Sequence, residues 1–225
     1  MNAQSQPSNR RNSSRRRSWL LASTLLGMAL VLLPVVAQAQ TQGPRSCGIA
    51  VLQGPATVER NGQSLNAAAG AVLTTNDKLV TGPQARVEIR CNDGIRLNVG
   101  ADTTLELSTL VAGGAARQNV VLRLLNGIVR VALPALRSWR RFEVQTPSAV
   151  ASVRATDWIV QAEKSGATAV FVVEGQVLAS NRAGSEGAFL QAGEGIDFRA
   201  DGGMAATIRW GEARVKRTMD AVMPR

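Results

Sequence analysis

Short runs of alternating apolar and polar residues fill the chain from residue 48 onward. In the run 86–91, Val87, Ile89 and Cys91 fall on one side, with charged residues on the other. Successive side chains of a β-strand point to opposite faces, so this pattern predicts a strand with one buried face. Similar runs recur between glycine, asparagine and aspartate turns, as at 95–99. Short runs punctuated in this way are typical of an all-β domain.

Paired turn residues predict where the chain reverses. Asn61-Gly62 separates two such runs and predicts a tight hairpin. Asn126-Gly127 predicts a further reversal, and Glu174-Gly175 predicts a turn into the next strand. The run 168–173 is the most apolar of the strand series and is expected to be a central strand.

The stretch 144–158 carries small residues at alternate positions and is expected to form one continuous strand. Pro147 lacks an amide donor, so it belongs at a strand start or edge. Small side chains on one face would let a second layer approach closely. The residues on that face are Ala149, Ala151, Val153 and Ala155.

A faint internal repeat links the beginning and the end of the strand series. The first copy contains Gly54, Val58, Leu65, Ala69-Gly70 and Leu73. The second contains Gly175, Val177, Leu190, Ala192-Gly193 and Ile196. Two β halves stacked in a short-stranded β-roll, a β-solenoid-like fold or a sandwich would explain the repeat. Chance repetition in a glycine-punctuated chain explains it nearly as well.

The first 39 residues have the pattern of a secretory signal peptide. Arginines within residues 10–17 precede an apolar run over 19–36, and residues 37–39 match an A-x-A cleavage site. We therefore expect a periplasmic or secreted protein that begins at Gln40 after cleavage following Ala39. An uncleaved anchor stays open because the apolar run approaches spanning length. A loose twin-arginine match at Arg16-Arg17 leaves the export route open as well.

The net charge of +10 is divided between this leader and the rest of the chain. Five of the 26 basic residues and none of the 16 acidic residues precede residue 40, which leaves +5 for the remainder. Much of the charge thus belongs to a targeting pattern, and we expect no nucleic-acid partner.

The composition also argues against catalysis, because the chain contains no histidine and no tyrosine. Histidine is the commonest general base and the commonest metal ligand. Its absence excludes Ser-His-Asp and Cys-His mechanisms and the zinc sites that need histidine. We expect no enzymatic activity, no catalytic residue, no metal site and no cofactor.

Cys47 and Cys91 are the only cysteines of the chain. An exported protein matures in an oxidising compartment, so we expect these two residues to form a disulfide bond. Two buried free thiols remain the alternative.

The order of short motifs resembles the FecR family of iron-dicitrate sensors, whose periplasmic domain carries a strand of the form T-P-x-A-x-A-x-V-R-G-T-x-(F/W). Ala155 stands where that family usually has glycine. The matching positions are Thr146, Pro147, Ala149, Ala151, Val153, Arg154, Thr156 and Trp158. Further family-like motifs occur at 79–82, 93–97, 105–107, 125–127 and 173–177. The resemblance covers residues 48–200 and implies an all-β periplasmic domain.

The predicted organisation has four parts. They are a signal peptide over 1–39, a short leader over 40–47, a FecR-like β domain over 48–200, and a basic tail over 201–225. Signal-relaying family members carry a cytoplasmic anti-sigma region ahead of a transmembrane helix. Here fewer than 20 residues precede the apolar run, so the comparison implies no direct anti-sigma activity.

The basic tail is predicted to contain a short helix. Val215, Met219 and Val222 fall at helical spacing. Docking of this helix on the sheet and a solvated tail both remain open.

A basic loop with an aromatic residue is the candidate binding loop. It could bind an anionic ligand, an envelope glycan or an acidic partner, or it could be a solvated connection whose tryptophan covers the core. Its residues are Arg137, Trp139, Arg140 and Arg141. Elsewhere, Arg154 is expected to pair with Asp157 or with an acid on a neighbouring strand. Trp158 is expected in the core.

These patterns together predict a non-enzymatic exported FecR-like domain that acts as a protein-interaction or envelope-signalling module. The alternative is a carbohydrate- or peptidoglycan-associated binding protein. The expected partner is an envelope protein, with a cell-wall glycan as the alternative. Membrane contact is expected only through an uncleaved signal segment.

Overall fold

The computed structural model describes residues 45–111, 119–134, 141–153 and 157–223. These residues form β-strands and one C-terminal helix, and they belong to the unit Thr41–Arg225. The all-β prediction is therefore confirmed.

Most described residues lie in strands. The strands are β1 (Cys47–Gln53), β2 (Ala56–Arg60), β3 (Gln63–Asn66), β4 (Val72–Leu73), β5 (Lys78–Thr81), β6 (Arg86–Cys91), β7 (Arg96–Val99), β8 (Thr104–Glu106), β9 (Asn119–Ala132), β10 (Arg141–Gln145), β11 (Ala149–Val153), β12 (Asp157–Ala162), β13 (Thr168–Glu174), β14 (Gln176–Asn181), β15 (Gly187–Gln191), β16 (Glu194–Phe198) and β17 (Ile208–Arg209). The helix is α1 (Glu212–Val222).

The strands form two layers that share β9. Sheet A has the order β4-β1-β6-β7-β9-β12-β13-β16-β17. Sheet B has the order β3-β2-β5-β8-β9-β10-β11-β14-β15. Among the described strands, the β9–β10 pairing is parallel and the others are antiparallel. After β9 the paired strands alternate between the layers, β10–β11 in sheet B and β12–β13 in sheet A, as in a roll.

The inward side chains of the two sheets form one apolar core. Val131 and Trp158 enter it from sheet A, and Leu122 and Phe142 enter it from sheet B. The Phe142 ring meets Trp158 edge-on, with 5.7 Å between ring centroids. This aromatic contact joins the two layers directly. The predicted central strand, β13, pairs on both sides within sheet A.

Strand β9 passes from one sheet to the other. Its first half pairs with β8 and β10, and its second half pairs with β7 and β12. Gly127 lies at the crossing with φ of +97°. A Cβ on Gly127 would lie 2.2 Å from the hydroxyl oxygen of Thr103, so glycine is required there. The reversal predicted at Asn126-Gly127 is wrong, because this glycine carries the strand onward.

The stretch 144–158 is also not one strand, as the alternation had suggested. The chain reverses between β10 and β11, which pair as an antiparallel hairpin in sheet B, whereas β12 lies in sheet A. The hydroxyl of Thr146 accepts a hydrogen bond from the Ala149 amide at 2.9 Å and closes the turn. A side-chain turn of this kind contains no glycine or asparagine, so the alternating pattern hides it.

The predicted face of small residues does exist within β11. Ala149, Ala151 and Val153 are buried in the shared core. Pro147 lies just before β11, at the strand start where a missing amide donor is tolerated. Ala155 lies outside the described residues.

Helix α1 lies on the outer face of sheet A. Val222 is fully buried there, and Val215 and Met219 pack around it. The apolar positions predicted from helical spacing therefore face the sheet, and the tail docks. The buried members of this second apolar cluster are Ile128, Ile159, Phe171, Trp210 and Val222.

Trp210 fastens the segment that leads into α1. Its ring stacks on Phe171 with 4.7 Å between centroids, and the Arg214 guanidinium carbon lies 3.5 Å from the centroid of the tryptophan ring. Arg214 also donates two hydrogen bonds to the Asp197 carboxylate, at 2.9 and 2.5 Å. A Cβ on Gly195 would lie 2.3 Å from the indole nitrogen, so the ring needs glycine beneath it.

The faint repeat is a real structural repeat. Strands β1 to β4 and strands β13 to β16 both run through sheets A, B, B and A, with the first strand paired to the fourth. The Gly70 amide donates to the Ile49 carbonyl at 2.8 Å, and the Gly193 amide donates to the Val172 carbonyl at 2.9 Å. These equivalent bonds favour repetition of one unit over chance.

Arg45 and Cys47, which the sequence assigned to a leader, are integral to the fold. The Arg45 guanidinium bonds Asp93 at 2.6 Å, and both side chains are fully buried. Arg45 also donates to the Leu110 carbonyl at 2.7 Å. Cys47 and Cys91 are cross-strand neighbours and form the predicted disulfide bond. Asp93 thereby anchors the segment that leads into β1.

Candidate interaction surface

A row of side chains crosses the outer face of sheet B. Glu143 of β10 lies opposite Ser152 of β11, Ser152 lies opposite Leu178 of β14, and Leu178 lies opposite Phe189 of β15. Leu178 is 39% exposed and Phe189 is 71% exposed. Directly opposite side chains in neighbouring strands contact one another, so Leu178 and Phe189 form one exposed apolar patch.

A groove of about 530 Å³ follows this row. It runs from Arg141 on β10 to Phe189 on β15, with Ser152 and Leu178 between them. Phe142, Glu143, Val153 and Gln176 complete its lining. Its lining thus combines apolar and polar side chains, as recognition sites commonly do.

Glu143 is the acidic group of the groove, and it is held ionised. Its carboxylate accepts hydrogen bonds from Arg141 at 2.5 Å, Gln145 at 3.0 Å and Ser152 at 3.1 Å. Burial alone would raise the pKa of Glu143, but these bonds and the charge of Arg141 outweigh burial and hold the pKa below its ordinary value. Glu143 therefore holds the side chains of Arg141, Gln145 and Ser152 in place.

Arg141 is the one residue of the predicted basic binding loop that falls within the described part of the chain. It begins β10, and its side chain is 57% exposed at the end of the groove. Arg137, Trp139 and Arg140 lie outside the described residues. The structure thus brings Arg141 together with Glu143 and Phe189, a combination that the sequence did not suggest.

The other half of the same face is a ladder of charges. Glu59, Lys78, Glu106 and Arg123 lie opposite one another on β2, β5, β8 and β9. The Lys78 ammonium lies 2.5 Å from Glu59, and Arg123 lies 3.9 Å from Glu106. Opposite charges in direct cross-strand positions satisfy one another. This half of sheet B therefore presents a balanced, polar surface.

Thr146 of the FecR-like motif belongs to a buried group of hydrogen-bonded hydroxyls. The Thr146 hydroxyl accepts a hydrogen bond from Thr168 at 2.8 Å, and Ser148 donates to Thr168 at 2.9 Å. All three hydroxyl-bearing residues are buried. This chain of hydroxyls ties the turn before β11 to the first residue of β13.

Trp158 is buried in the core, as predicted. Asp157 accepts two hydrogen bonds from Arg130 of β9, at 2.8 and 2.5 Å. Arg154, which was expected to pair with Asp157 or with an acid on a neighbouring strand, lies outside the described residues together with Thr156. The pairing with Arg130 is a long-range contact between β9 and β12, which local spacing could not reveal.

Within residues 45–111, 119–134, 141–153 and 157–223, no helix has the length and apolar character of a membrane span. Within the same ranges, no group of three His, Cys, Asp or Glu side chains is placed to hold a metal ion.

Sequence reasoning missed Leu178, Phe189 and Glu143 as members of one surface. In the run 176–180, Leu178 shares one strand face with the polar residues Gln176 and Ser180, whereas Val177 and Ala179 lie on the other face. The two polar residues on its face were the available signal that Leu178 faces outward. The position of β15 at a sheet edge depends on the whole topology and has no local signal.

Comparison with known proteins shows which family this chain resembles. The family model described as FecR protein matches residues 77–178. The resemblance predicted from the motif order is therefore confirmed over this range, which runs from the start of β5 into β14. No curated protein matches the chain significantly.

Two crystal structures of a candidate anti-sigma factor from Parabacteroides distasonis ATCC 8503 share the fold. The structure at 2.50 Å resolution is 15% identical with a TM-score of 0.53, and the alignment covers 63% of each chain. The structure at 1.65 Å resolution is 16% identical with a TM-score of 0.54, and the alignment covers 65% of each chain. The chain thus spans less than two thirds of the length of these relatives, and at this identity the likeness is one of fold.

Proposed function

We propose that this protein is a non-enzymatic FecR-like module that acts by binding another protein of the cell envelope. The observation that carries the proposal is the FecR match over residues 77–178. The matched range includes Arg141, Glu143 and Leu178, three residues of the groove on sheet B. The fold likeness to a candidate anti-sigma factor is consistent with a part in signalling.

The proposed location is the periplasm or the exterior of the cell. Arginines, an apolar run and an A-x-A sequence follow one another in the first 39 residues, as in a cleavable export signal. The Cys47–Cys91 disulfide supports the same location, because such bonds persist in oxidising compartments.

A binding role fits the chemistry of the groove better than catalysis does. A general acid needs a raised pKa near the working pH, whereas hydrogen bonds lower the pKa of Glu143. The chain also has no histidine to serve as a base. The groove therefore offers contacts and one fixed ion pair.

The proposal can be tested in the native host by cell fractionation, intact mass measurement and chemical crosslinking. We expect a periplasmic species that begins at Gln40, carries the oxidised Cys47–Cys91 pair and crosslinks to a defined envelope protein. Sedimentation with cell-wall sacculi in the absence of any protein crosslink would favour the glycan-binding alternative. Recovery of a sigma factor with the protein would contradict the proposal.

A further inference from the structure

The border of the roll that β3 and β4 form contains no charged residue. Residues 61–76 include both strands and the turns around them, and none of these side chains is charged, although 19% of the whole chain is. Leu65 on β3 is 46% exposed, and Val72 on β4 is 62% exposed. Sheet edges usually carry charges or proline that discourage pairing with another strand. Residues 61–76 contain neither, so this border is open to a further strand.

The hydrogen-bond pattern shows which backbone groups of β3 point outward. The Ala67 amide donates to the Ala56 carbonyl at 2.9 Å, so these two residues form a bonded pair of the ladder. Bonded and non-bonded pairs alternate along an antiparallel ladder. Counting from this pair, Ser64 and Asn66 are non-bonded positions, and their amides and carbonyls face away from β2. Within the described ranges, these outward groups have no hydrogen-bond partner.

The opposite border of sheet B carries a protecting device. There the amide of Gln191 in β15 already donates to the carboxylate of Glu194, at 2.8 Å. A strand added along β15 would have to break this bond and approach the charge. Of the two borders of sheet B, β3 is therefore the less protected one.

Leu65 shows that the β3 border is incomplete on its inner side. It lies opposite Val58, a core residue, so its side chain points toward the core face of sheet B. The equivalent residue in the C-terminal repeat is Leu190, opposite Val177, and it is fully buried. The two leucines occupy the same position in the repeat, yet Leu65 is half exposed. A further strand beside β3 would cover it.

The difference between the two leucines follows from what the chain does after each repeat. Past β16, Met204 packs on the shared core and β17 lengthens sheet A. After β4 the chain instead turns into β5, which lies beside β2 in sheet B. In the part of the chain that the structure describes, no segment therefore continues the border formed by β3 and β4.

We propose that a second copy of the chain closes this border, with the two β3 strands paired antiparallel across a two-fold axis so that sheet B continues from one copy into the other. Leu65 would lie on the axis and face Leu65 of the second copy. Ser64 of each copy would exchange both backbone bonds with Asn66 of the other. The inference goes beyond the proposed function, because pairing of two copies does not require an envelope partner.

The outward positions of β3 fit this register. Pairs that exchange both backbone bonds alternate with non-bonded pairs, in which the side chains approach most closely. With Ser64 and Asn66 as the outward positions, the non-bonded pair between them is Leu65 with itself. A two-fold interface brings the same surface of both copies together, so the two leucines would meet on the core side and cover each other.

Charge permits this contact. Strand β1, which lies next to β4, has no charged residue. The two charged residues of β2 are paired, Glu59 with Lys78 and Arg60 with Asp77. The side chains nearest the axis would be leucine, serine, asparagine and glutamine, so no like charges would oppose each other. A strand of four residues buries little surface, and we therefore expect a weak, reversible dimer.

The first test is sedimentation of the purified protein, in the form recovered from its host, at concentrations up to about 500 µM. We expect a reversible equilibrium between monomer and dimer. Leu65→Lys should weaken the dimer by about tenfold or more, because two ammonium groups would face each other on the axis. The matched control is Phe189→Lys on the opposite border of sheet B, where Phe189 is 71% exposed. This control should dimerise within about twofold of the wild type.

Proline at position 64 tests the backbone bonds. Ser64→Pro removes an amide that faces away from β2, so the hairpin of β2 and β3 is kept. Two such amides are lost per dimer, and we expect dimerisation to weaken by about tenfold. Ser64→Ala removes the same hydroxyl but keeps the amide, and it should behave as the wild type. Thermal unfolding in dilute solution checks that each variant is folded; if Ser64→Pro is not, Leu65→Lys and the cysteine variants below decide.

A cysteine placed on the axis tests the register. Leu65→Cys should form a disulfide-linked dimer in air, because the two new thiols would be a directly opposite, non-bonded pair. Ser64→Cys would face Asn66 of the second copy and should stay uncrosslinked over the same time. The two native cysteines are bonded to each other, so the introduced thiol is the one that reacts.

The remaining outcomes also decide the matter. A wild type that stays monomeric over the whole series overturns the inference, as does a dimer that neither Leu65→Lys nor Ser64→Pro weakens. Equal crosslinking of the cysteines at positions 64 and 65 would reject the two-fold register. A monomeric wild type whose crosslink to an envelope protein is lost in Ser64→Pro would assign β3 to that protein instead. Dimerisation without any envelope crosslink would keep this inference and reject the proposed function.

Discussion

The outer faces of the two sheets differ in one respect, which is whether the chain covers them. On sheet A, the C-terminal segment lays Trp210 and helix α1 over Phe171, Ile159 and Ile128. On sheet B, Leu178 and Phe189 occupy the outer face and stay exposed. Both faces therefore carry apolar side chains, but those of sheet A are buried far more completely. The covered groups stabilise the fold, and the open groups remain available for the proposed interaction.

The largest expected effect comes from the disulfide, which fastens two strands of sheet A. Replacing Cys47 and Cys91 together by alanine opens a crosslink with a sequence separation of 44 residues. In the chain-entropy model this should lower the free energy of unfolding by about 4 kcal/mol. Chemical denaturation of the variant and of the oxidised wild type measures the loss. A loss below about 1 kcal/mol would show that the fold does not depend on this crosslink.

Removal of the cover on sheet A should have the next largest effect. Trp210→Ala deletes an indole that is 6% exposed and stacked on Phe171. We expect a loss of about 3 kcal/mol in the free energy of unfolding, since a buried aromatic ring leaves a cavity. Thermal and urea unfolding measure this loss. Near-wild-type stability would show that the packing of Trp210 on sheet A does not stabilise the fold.

A buried carboxylate with a lowered pKa should make stability depend on pH. Burial tends to raise the pKa of Asp77, but hydrogen bonds from Arg60 and Thr74 outweigh it and lower the pKa. A lowered pKa in the folded state stabilises the protein above the unfolded-state pKa, and the stabilisation disappears as the pH falls through the folded-state pKa. Asp77→Asn should therefore cost about 2 kcal/mol near neutral pH and progressively less in acid.

The control for Asp77 is Glu59→Gln in the exposed charge ladder. Its side chain is 41% exposed beside Lys78. We expect a change of less than about 0.5 kcal/mol at neutral pH. Urea unfolding across a pH series compares the two variants with the wild type. Equal pH profiles for Asp77→Asn and the wild type would contradict the assignment of Asp77 as a stabilising carboxylate.

The smallest expected effect is at the open face itself. Phe189→Ala removes a large side chain, but that side chain is 71% exposed. The free energy of unfolding should change by less than about 0.5 kcal/mol, in contrast to Trp210→Ala. Thermal unfolding of the two variants side by side makes the comparison. A loss similar to that of Trp210→Ala would erase the distinction between covered and open faces.

The sequence predicted those features that depend on local pattern. Asn61-Gly62 forms the expected hairpin turn, with positive φ at both residues, and β2 pairs with β3 across it. The spacing of Val215, Met219 and Val222 correctly predicted the inner side of α1. The order of family-like motifs correctly predicted the match to the FecR family model over residues 77–178. Each of these signals is contained within a few neighbouring residues or in their order.

Features that depend on distant partners could not be predicted. Asn126-Gly127 has the same residue types as the hairpin turn at Asn61-Gly62. Here, however, Thr103 lies close to Gly127, and the glycine lets β9 pass from one sheet to the other. Asp157 is bound by Arg130, 27 residues away. Phe189 has an apolar side chain like those of the core, and its exposure follows from where β15 ends in the strand order. In each case the outcome depends on which distant strands the topology brings side by side.

The anchor at residues 45–47 determines how the domain would bear a mechanical load. A pull on the chain at Arg45 acts first on its buried bonds to Asp93 and to the Leu110 carbonyl. Two residues later the covalent bond from Cys47 to Cys91 transfers the remaining tension to β6. Strand β1 is thereby protected from being peeled away bond by bond. Tension arriving from the N-terminal side is delivered to the domain as a whole, which can then transmit a displacement without unravelling.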